Sequence, residues 1–319
     1  MALARVTALA LLLAACAPAP RPRPPPPPPP PPAPVVAAPD PGPPRRSPWP
    51  AGARPYAQVV IVSFDGLRHD ASMIPEATTL ARVRAEGAEA NRAETVRPSL
   101  TLPSHASMLS GAEVSEHGLD FDEYIRSRGL IRVPTAFSYA REAGLTTAMF
   151  VSKRKLRHLL LPGTVDVWSL PGRHCERVAD RAARHLRDAP AGMTFIHFSE
   201  PDLAGHRAGW MSRRYLRAVR RADRCLATVM EGVESRPDRV LVIVTADHGG
   251  HGRRHGAGEP VDTRIPWLAW GPGVRRGSFD APVRTLDTAA TALAALGVEI
   301  PERVRGEVVR AAFEVDAAR

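Results

Sequence analysis

Four short polar patches in this chain carry residues fit for chemistry: Ser63-Phe64-Asp65-Gly66-Leu67-Arg68, Pro98-Ser99-Leu100-Thr101-Leu102-Pro103-Ser104-His105, Pro201-Asp202-Leu203-Ala204-Gly205-His206 and Thr245-Ala246-Asp247-His248-Gly249-Gly250. Mixed carboxylates and imidazoles are a donor set for divalent metals, zinc above all, and catalytic sites of this kind keep one coordination position open. The second patch offers hydroxyls instead, at Ser99, Thr101 and Ser104. The stretch from Ser104 to Ser110 can start a helix whose first N–H groups would face an anion. Asp202 and His206, four residues apart, share one face if their segment turns helically. An isolated Asp-Gly or Asp-His-Gly is ordinarily a turn or a cap, so each patch alone says little.

What must position them is legible in the apolar pattern. Residues 57–64, AQVVIVSF, form a continuous β-branched run ending at Asp65-Gly66, which predicts a buried parallel strand. Comparable runs span 146–151, 165–170, 194–199, 239–246 and 265–271, with helical patterns over 75–86, 134–143, 175–187, 212–233 and 287–296. This alternation predicts an α/β fold: a doubly wound, mostly parallel sheet with helices on both faces. Such folds collect their sites at the carboxyl ends of strands. Asp65, the Glu200-Pro201-Asp202 step and Asp247-His248 each follow a predicted strand, so one sheet edge should gather all of them. Residues 113–132 read as an insertion over that edge.

Together and in this order, the four patches resemble the alkaline phosphatase superfamily, most closely its type I phosphodiesterase/nucleotide pyrophosphatase branch, from Ala57 to about Arg310. The resemblance implies two divalent ions, zinc by preference. One would be held by Asp65, Asp247 and His248 together with the Thr101 hydroxyl, and the other by Asp202, His206 and a further histidine. In larger members that last histidine lies near the C-terminus, whereas no histidine follows His255 here. His251 and His255 compete for the role, and the His-Gly step at His255 matches compact bacterial members better. The nucleophile stands two residues before a proline in the family, which selects Thr101 before Pro103 over Ser99 and Ser104. Larger members have an asparagine where this chain has Ser104, whose hydroxyl reaches less far.

The implied reaction is hydrolysis of a phosphodiester or nucleotide pyrophosphate bond. Thr101 attacks phosphorus in line to give a phosphothreonine, which a hydroxide on the metal then releases. Phosphomonoester hydrolysis is the alternative within the superfamily, and a non-catalytic lipoprotein binding an anionic polymer is the alternative outside enzymes. Sulfatase chemistry is disfavoured because neither Cys175 nor Cys225 lies in a formylglycine motif such as Cys-x-Pro-x-Arg. His105, His117 and His197 receive no role, His197 reading as a packed core residue. Arg68, Arg253 and Arg254 have the guanidinium forks that suit phosphate but read equally as solvated surface.

The remaining features concern location. The leader MALARVTALALLLAAC has one arginine and an apolar run from Val6 to Leu13 that is too short to span a bilayer. Its Leu13-Ala14-Ala15-Cys16 ending resembles a bacterial lipobox, which predicts a signal peptide over 1–16 and a membrane anchor on acylated Cys16, in the exported cell envelope. Residues 17–50 are dominated by proline, unbroken from Pro24 to Pro32, and should form an extended tether rising ~3.1 Å per residue. Residues 51–319 are left as a single catalytic domain with no internal repeat. The formal charge is +10, of which the first fifty residues supply +4 (Arg5, Arg21, Arg23, Arg45 and Arg46 against Asp40). The body's +6 suits a small anionic ester or nucleotide and gives no ground for nucleic-acid binding. Lys153 and Lys155 are the only lysines. Cys175 and Cys225 can pair in an oxidising compartment or stay as buried thiols, and the sequence leaves both open. It says nothing of oligomeric state.

Overall fold

Val59, Val60, Ile61 and Val62 stand fully buried in the centre of the molecule, in strand β1 (Gln58–Phe64). A strand covered on both faces has no polar side to present, hence its continuous rather than alternating apolar run. The structure is a computed structural model and describes residues 47–50, 52–188, 190–236 and 239–314. The leader, Cys16 and the proline tether as far as residue 46 lie outside the described residues.

The remaining strands are β2 (Ala88–Ala90), β3 (Ala93–Glu94), β4 (Thr146–Phe150), β5 (Val167–Ser169), β6 (Gly192–Phe198), β7 (Val240–Ala246), β8 (Trp267–Trp270), β9 (Gly277–Phe279) and β10 (Val283–Arg284). The α-helices are α1 (Thr78–Glu86), α2 (Thr101–Ser110), α3 (Val114–His117), α4 (Ala136–Glu142), α5 (Cys175–Asp188), α6 (Glu200–Ala208), α7 (Arg213–Glu234), α8 (Pro260–Thr263) and α9 (Asp287–Ala295). Eight strands form one sheet in the order β5-β4-β6-β1-β7-β8-β2-β9. β8 runs antiparallel to both of its neighbours, and the other pairings are parallel. Helix α7 packs against α1, α5 and α6, while α9 packs against α2 and α4, so two helical layers enclose the sheet. This is the doubly wound α/β arrangement that the strand and helix alternation predicts.

Two local features depart from the sequence reading. Strands β2, β3, β9 and β10 have two or three residues each, too short to leave a periodic signal. Helix α2 begins at Thr101 rather than Ser104, because proline is well tolerated in a helix's first turn and Pro103 does not end it. A disulfide between Cys175 and Cys225 ties α5 to α7, with Cα atoms 5.9 Å apart.

Candidate active site

The three central strands end level. Phe64 is in register with Phe198 on one side and with Ala246 on the other. The chain therefore leaves the sheet at one height at Asp65, Ser199 and Asp247, and α6 begins with Glu200 and carries Asp202 in its first turn. The Asp65 N–H donates to the Phe198 carbonyl, and the Asp202 N–H donates to the Asp65 carbonyl, both at 2.9 Å. Gly66 follows at φ 71°, where a Cβ would come within 2.8 Å of the Asp202 Cα, so the turn that brings the two carboxylates together requires glycine. Trp210 lies against Gly250, where a Cβ would strike its ring at 2.2 Å. Its indole N–H donates to the Gly66 carbonyl at 2.9 Å.

Each carboxylate uses one oxygen to hold the protein together. Asp247 Oδ1 accepts the N–H groups of Gly66 and His248, both at 2.9 Å. Asp65 Oδ2 accepts from His197 Nε2 at 2.8 Å and pairs with Lys153 Nζ at 2.7 Å, and Asp202 Oδ2 accepts from the same Nζ at 2.6 Å. The second oxygens, Asp65 Oδ1, Asp202 Oδ1 and Asp247 Oδ2, are buried and receive no hydrogen bond.

The imidazoles are arranged with the complementary polarity. His206 Nδ1 lies 3.0 Å from the Arg253 carbonyl, His248 Nδ1 2.8 Å from the Gly249 carbonyl and His255 Nδ1 2.9 Å from the Ser99 carbonyl. A carbonyl only accepts, so in each neutral ring Nδ1 carries the proton and Nε2 offers its lone pair, while pairing with Asp202 raises the His206 pKa and favours a second proton on that ring's Nε2 when no cation is bound. His248 Nε2 lies 3.7 Å from Asp65 Oδ1 and 3.4 Å from Asp247 Oδ2. His206 Nε2 lies 3.2 Å and His255 Nε2 3.6 Å from Asp202 Oδ1, and the two Nε2 atoms are 3.1 Å apart. Lone pairs facing unpartnered buried carboxylate oxygens are unfavourable unless a cation lies among them. The donor set therefore fits divalent cations: the ligand atoms of Asp65, Asp247 and His248 lie within 4.8 Å of one another, as do those of Asp202, His248 and His255, and His206 Nε2 adjoins the second group at 3.2 Å from Asp202 Oδ1. His251 is directed elsewhere: its Nδ1 is 2.7 Å from Asp262 Oδ1, and Arg254 Nε donates to its Nε2 at 3.4 Å.

Thr101 is fully buried at the start of α2, with Oγ1 3.4 Å from His248 Nε2 and 3.3 Å from Lys153 Nζ. The hydroxyl thus stands beside both the metal-fitting group and a permanent cation, which would lower the energy of its alkoxide. Ser104 Oγ accepts from Thr95 Oγ1 at 2.9 Å, away from that cluster. The Ser104 amide, the first of the stretch expected to face an anion, lies within α2 and donates to the Leu100 carbonyl at 3.0 Å, while in the first turn Leu102 N–H donates to Asp122 Oδ1 at 2.9 Å, and Asp122 pairs with Lys155 at 2.8 Å. That contact brings the 113–132 segment to the edge of the site. The site is closed at Asp65, Thr101, Asp247 and His248 and open at His206, whose side chain is 45% exposed.

The charges are unevenly matched. Burial works to raise Asp65, but Lys153 and the His197 hydrogen bond hold it well below the usual carboxylate range. Asp202 is lowered in the same way, against burial, by Lys153. Asp247, under burial and the charge of Asp65, is pushed well above that range. Burial would lower Lys153, but Asp202, Asp65 and Asp247 together raise it. One ammonium thus contacts two of the three carboxylates and supplies a single positive charge to them.

The family model described as type I phosphodiesterase / nucleotide pyrophosphatase matches residues 59–252, more than half of the chain and all of this site except His255. The chain belongs to that family. It is 22% identical over 217 residues to human ectonucleotide pyrophosphatase/phosphodiesterase family member 7, covering 60% of this chain and 47% of the human protein. The chain spans about half the length, or less, of the relatives it matches. In fold it is similar to murine ectonucleotide pyrophosphatase/phosphodiesterase 5, in an inactive form in complex with AMP, with a TM-score of 0.69 at 14% identity over 80% of this chain and 99% of that one. A 2-O GAG sulfatase is similar too, with a TM-score of 0.66 at 16% identity over 83% and 76% of the two chains. The shared architecture is the alkaline phosphatase-like fold.

Three side chains of this phosphodiesterase-family site escaped the sequence reading. His197, taken for a core residue, is fully buried in β6 and also donates to Asp65. Lys153 lies just beyond β4, at the same sheet edge, and its being one of two lysines in the chain was the available signal. Asp122 lies in irregular chain and left none. Arg68 makes a two-pronged pair with Asp70 instead of facing the cluster.

Proposed function

We propose that this protein is a two-metal hydrolase of phosphodiester or nucleotide pyrophosphate bonds, with Thr101 as nucleophile. The observation that carries the reading is the convergence of one inner oxygen from each of three buried carboxylates with the Nε2 atoms of three imidazoles, next to a buried threonine hydroxyl. Asp65, Asp247 and His248, with Thr101, would hold one ion, and Asp202, His206 and His255 the other. Such ions, zinc by preference, neutralise phosphoryl charge and ease ionisation of the hydroxyl. The chain's own residues then divide the work. The Thr101 oxygen forms a bond to phosphorus as the bond to the leaving oxygen breaks, and that oxygen departs with a proton as an alcohol or phosphate. Water later cleaves the phosphothreonine and restores the hydroxyl. Trp210 packs against His206 and His255, with ring centroids 5.1 and 5.8 Å away, to fix their planes.

Family membership and the AMP bound to the murine relative support a nucleotide-sized substrate. The test is metal analysis of the purified protein, followed by paired chromogenic diester and monoester assays before and after chelation. About two ions per chain and a diester rate lost on chelation are expected. A larger monoester rate would move the substrate to the alternative class, and turnover that survives exhaustive chelation would remove the metal reading.

We propose further that the chain is anchored in the bacterial envelope through acylated Cys16 and the proline tether. Cys16→Ser should move the protein from membrane to soluble fractions with its specific activity unchanged. A wild-type protein found soluble after export contradicts the anchor.

A further inference from the structure

Asp65, Asp202 and Asp247 are buried together, each 2% exposed or less. Lys153 reaches two of them, with Nζ 2.7 Å from Asp65 Oδ2 and 2.6 Å from Asp202 Oδ2. These are not the oxygens that face His248, His206 and His255, which are Asp65 Oδ1 and Asp202 Oδ1. The ammonium therefore spans one carboxylate from each ligand group while leaving both groups' inner oxygens free. Without a counter-charge, buried carboxylates strongly destabilise a folded chain. Two divalent ions would bring four positive charges to three negative ones, and Lys153 would then be surplus and repelled.

We propose that Lys153 is a built-in counter-ion of the metal-free site, holding Asp65 and Asp202 in place until metal takes over the compensation of their charge. This rests on the two-metal reading above. By linkage, a side chain that stabilises the metal-free form more than the loaded form must weaken metal binding by the same factor. Lys153 therefore lets the protein fold before metal arrives and loosens the metal in exchange.

The test compares the full-length chain with Lys153→Met and with the charge-retaining Lys153→Arg. Thermal unfolding is followed after chelation and at saturating zinc, and zinc affinity is measured by competition with a chromophoric chelator. After chelation, Lys153→Met should unfold roughly 10 °C below wild type. At saturating zinc the gap should shrink to about a third of that, with zinc bound at least about tenfold more tightly by the variant. Lys153→Arg should stay close to wild type. A Lys153→Met chain that folds only with zinc supports the proposal equally. Equal destabilisation with and without zinc, weaker zinc binding by Lys153→Met, or failure to fold in both conditions overturns the proposal. A wild-type chain that binds no zinc fails at the two-metal reading instead, and that result is distinguishable because it appears before any variant is compared.

Discussion

The ring of His255 lies flat against that of His248, with centroids 3.7 Å apart and planes inclined by 12°. The two histidines come from opposite ends of one loop and are assigned to different ions in the proposed function, so on that reading the stack sets the spacing of the two ligand groups. Burial and the neighbouring His248 lower the His255 pKa to about 4, which leaves its Nε2 lone pair free at neutral pH. His255→Ala should therefore weaken retention of one ion by more than about a hundredfold. His251→Ala, which removes a partner of Asp262, should change it by less than about tenfold. Competition titration of both variants checks this, and the reverse order would assign the ligand to His251.

Thr101→Ala removes one hydroxyl from a fully buried position without altering the backbone of α2. Stability should stay within about 1 kcal/mol of wild type, while kcat falls by at least about 10³-fold. Rapid-quench trapping should find a phosphothreonine in wild type and none in the variant. Activity that persists in Thr101→Ala but dies in Ser99→Ala would shift the nucleophile by two residues.

His117 is fully buried, with Nε2 3.0 Å from Ser107 Oγ and Nδ1 accepting from the Leu119 N–H at 3.1 Å. Burial lowers its pKa from 6.5 to about 4. Between those values the unfolded chain binds a proton that the folded chain does not, so stability is complete above about pH 6.5 and falls as the pH drops toward 4. The loss amounts to about 3 kcal/mol across that window. Urea unfolding at several pH values should show His117→Gln losing one proton's worth of slope there. An unchanged slope would assign the acid sensitivity to other groups.

The Cys175–Cys225 disulfide closes a loop of 50 residues between α5 and α7. Replacing both cysteines by serine should cost about 2–4 kcal/mol, read as a lower urea midpoint. Reductant should lower the wild-type midpoint by a similar amount and leave the double variant where it is. A wild type indifferent to reductant would mean that the thiols are free.

The sequence by itself determined the sheet's central strands, because β1, β6 and β7 are buried on both faces and are therefore predominantly apolar without alternation. It also indicated which residues follow those strands, since Asp65, Asp202, Asp247 and His248 interrupt the apolar runs abruptly. What the sequence left open were contacts between segments with no common period. The proposed choice of His255 over His251 rests on Asp262, which draws His251 away, and on the Ser99 carbonyl, which turns His255 inward. Lys153, just past β4, and His197, within β6, share the Asp65 carboxylate at the end of β1, a meeting that only the order β4-β6-β1 produces. Asp122 reached the first turn of α2 from an irregular segment in the same way. Hydrophobic periodicity records burial along one element at a time. Charge compensation inside a site is a property of several elements packed together, and tertiary structure alone decided it.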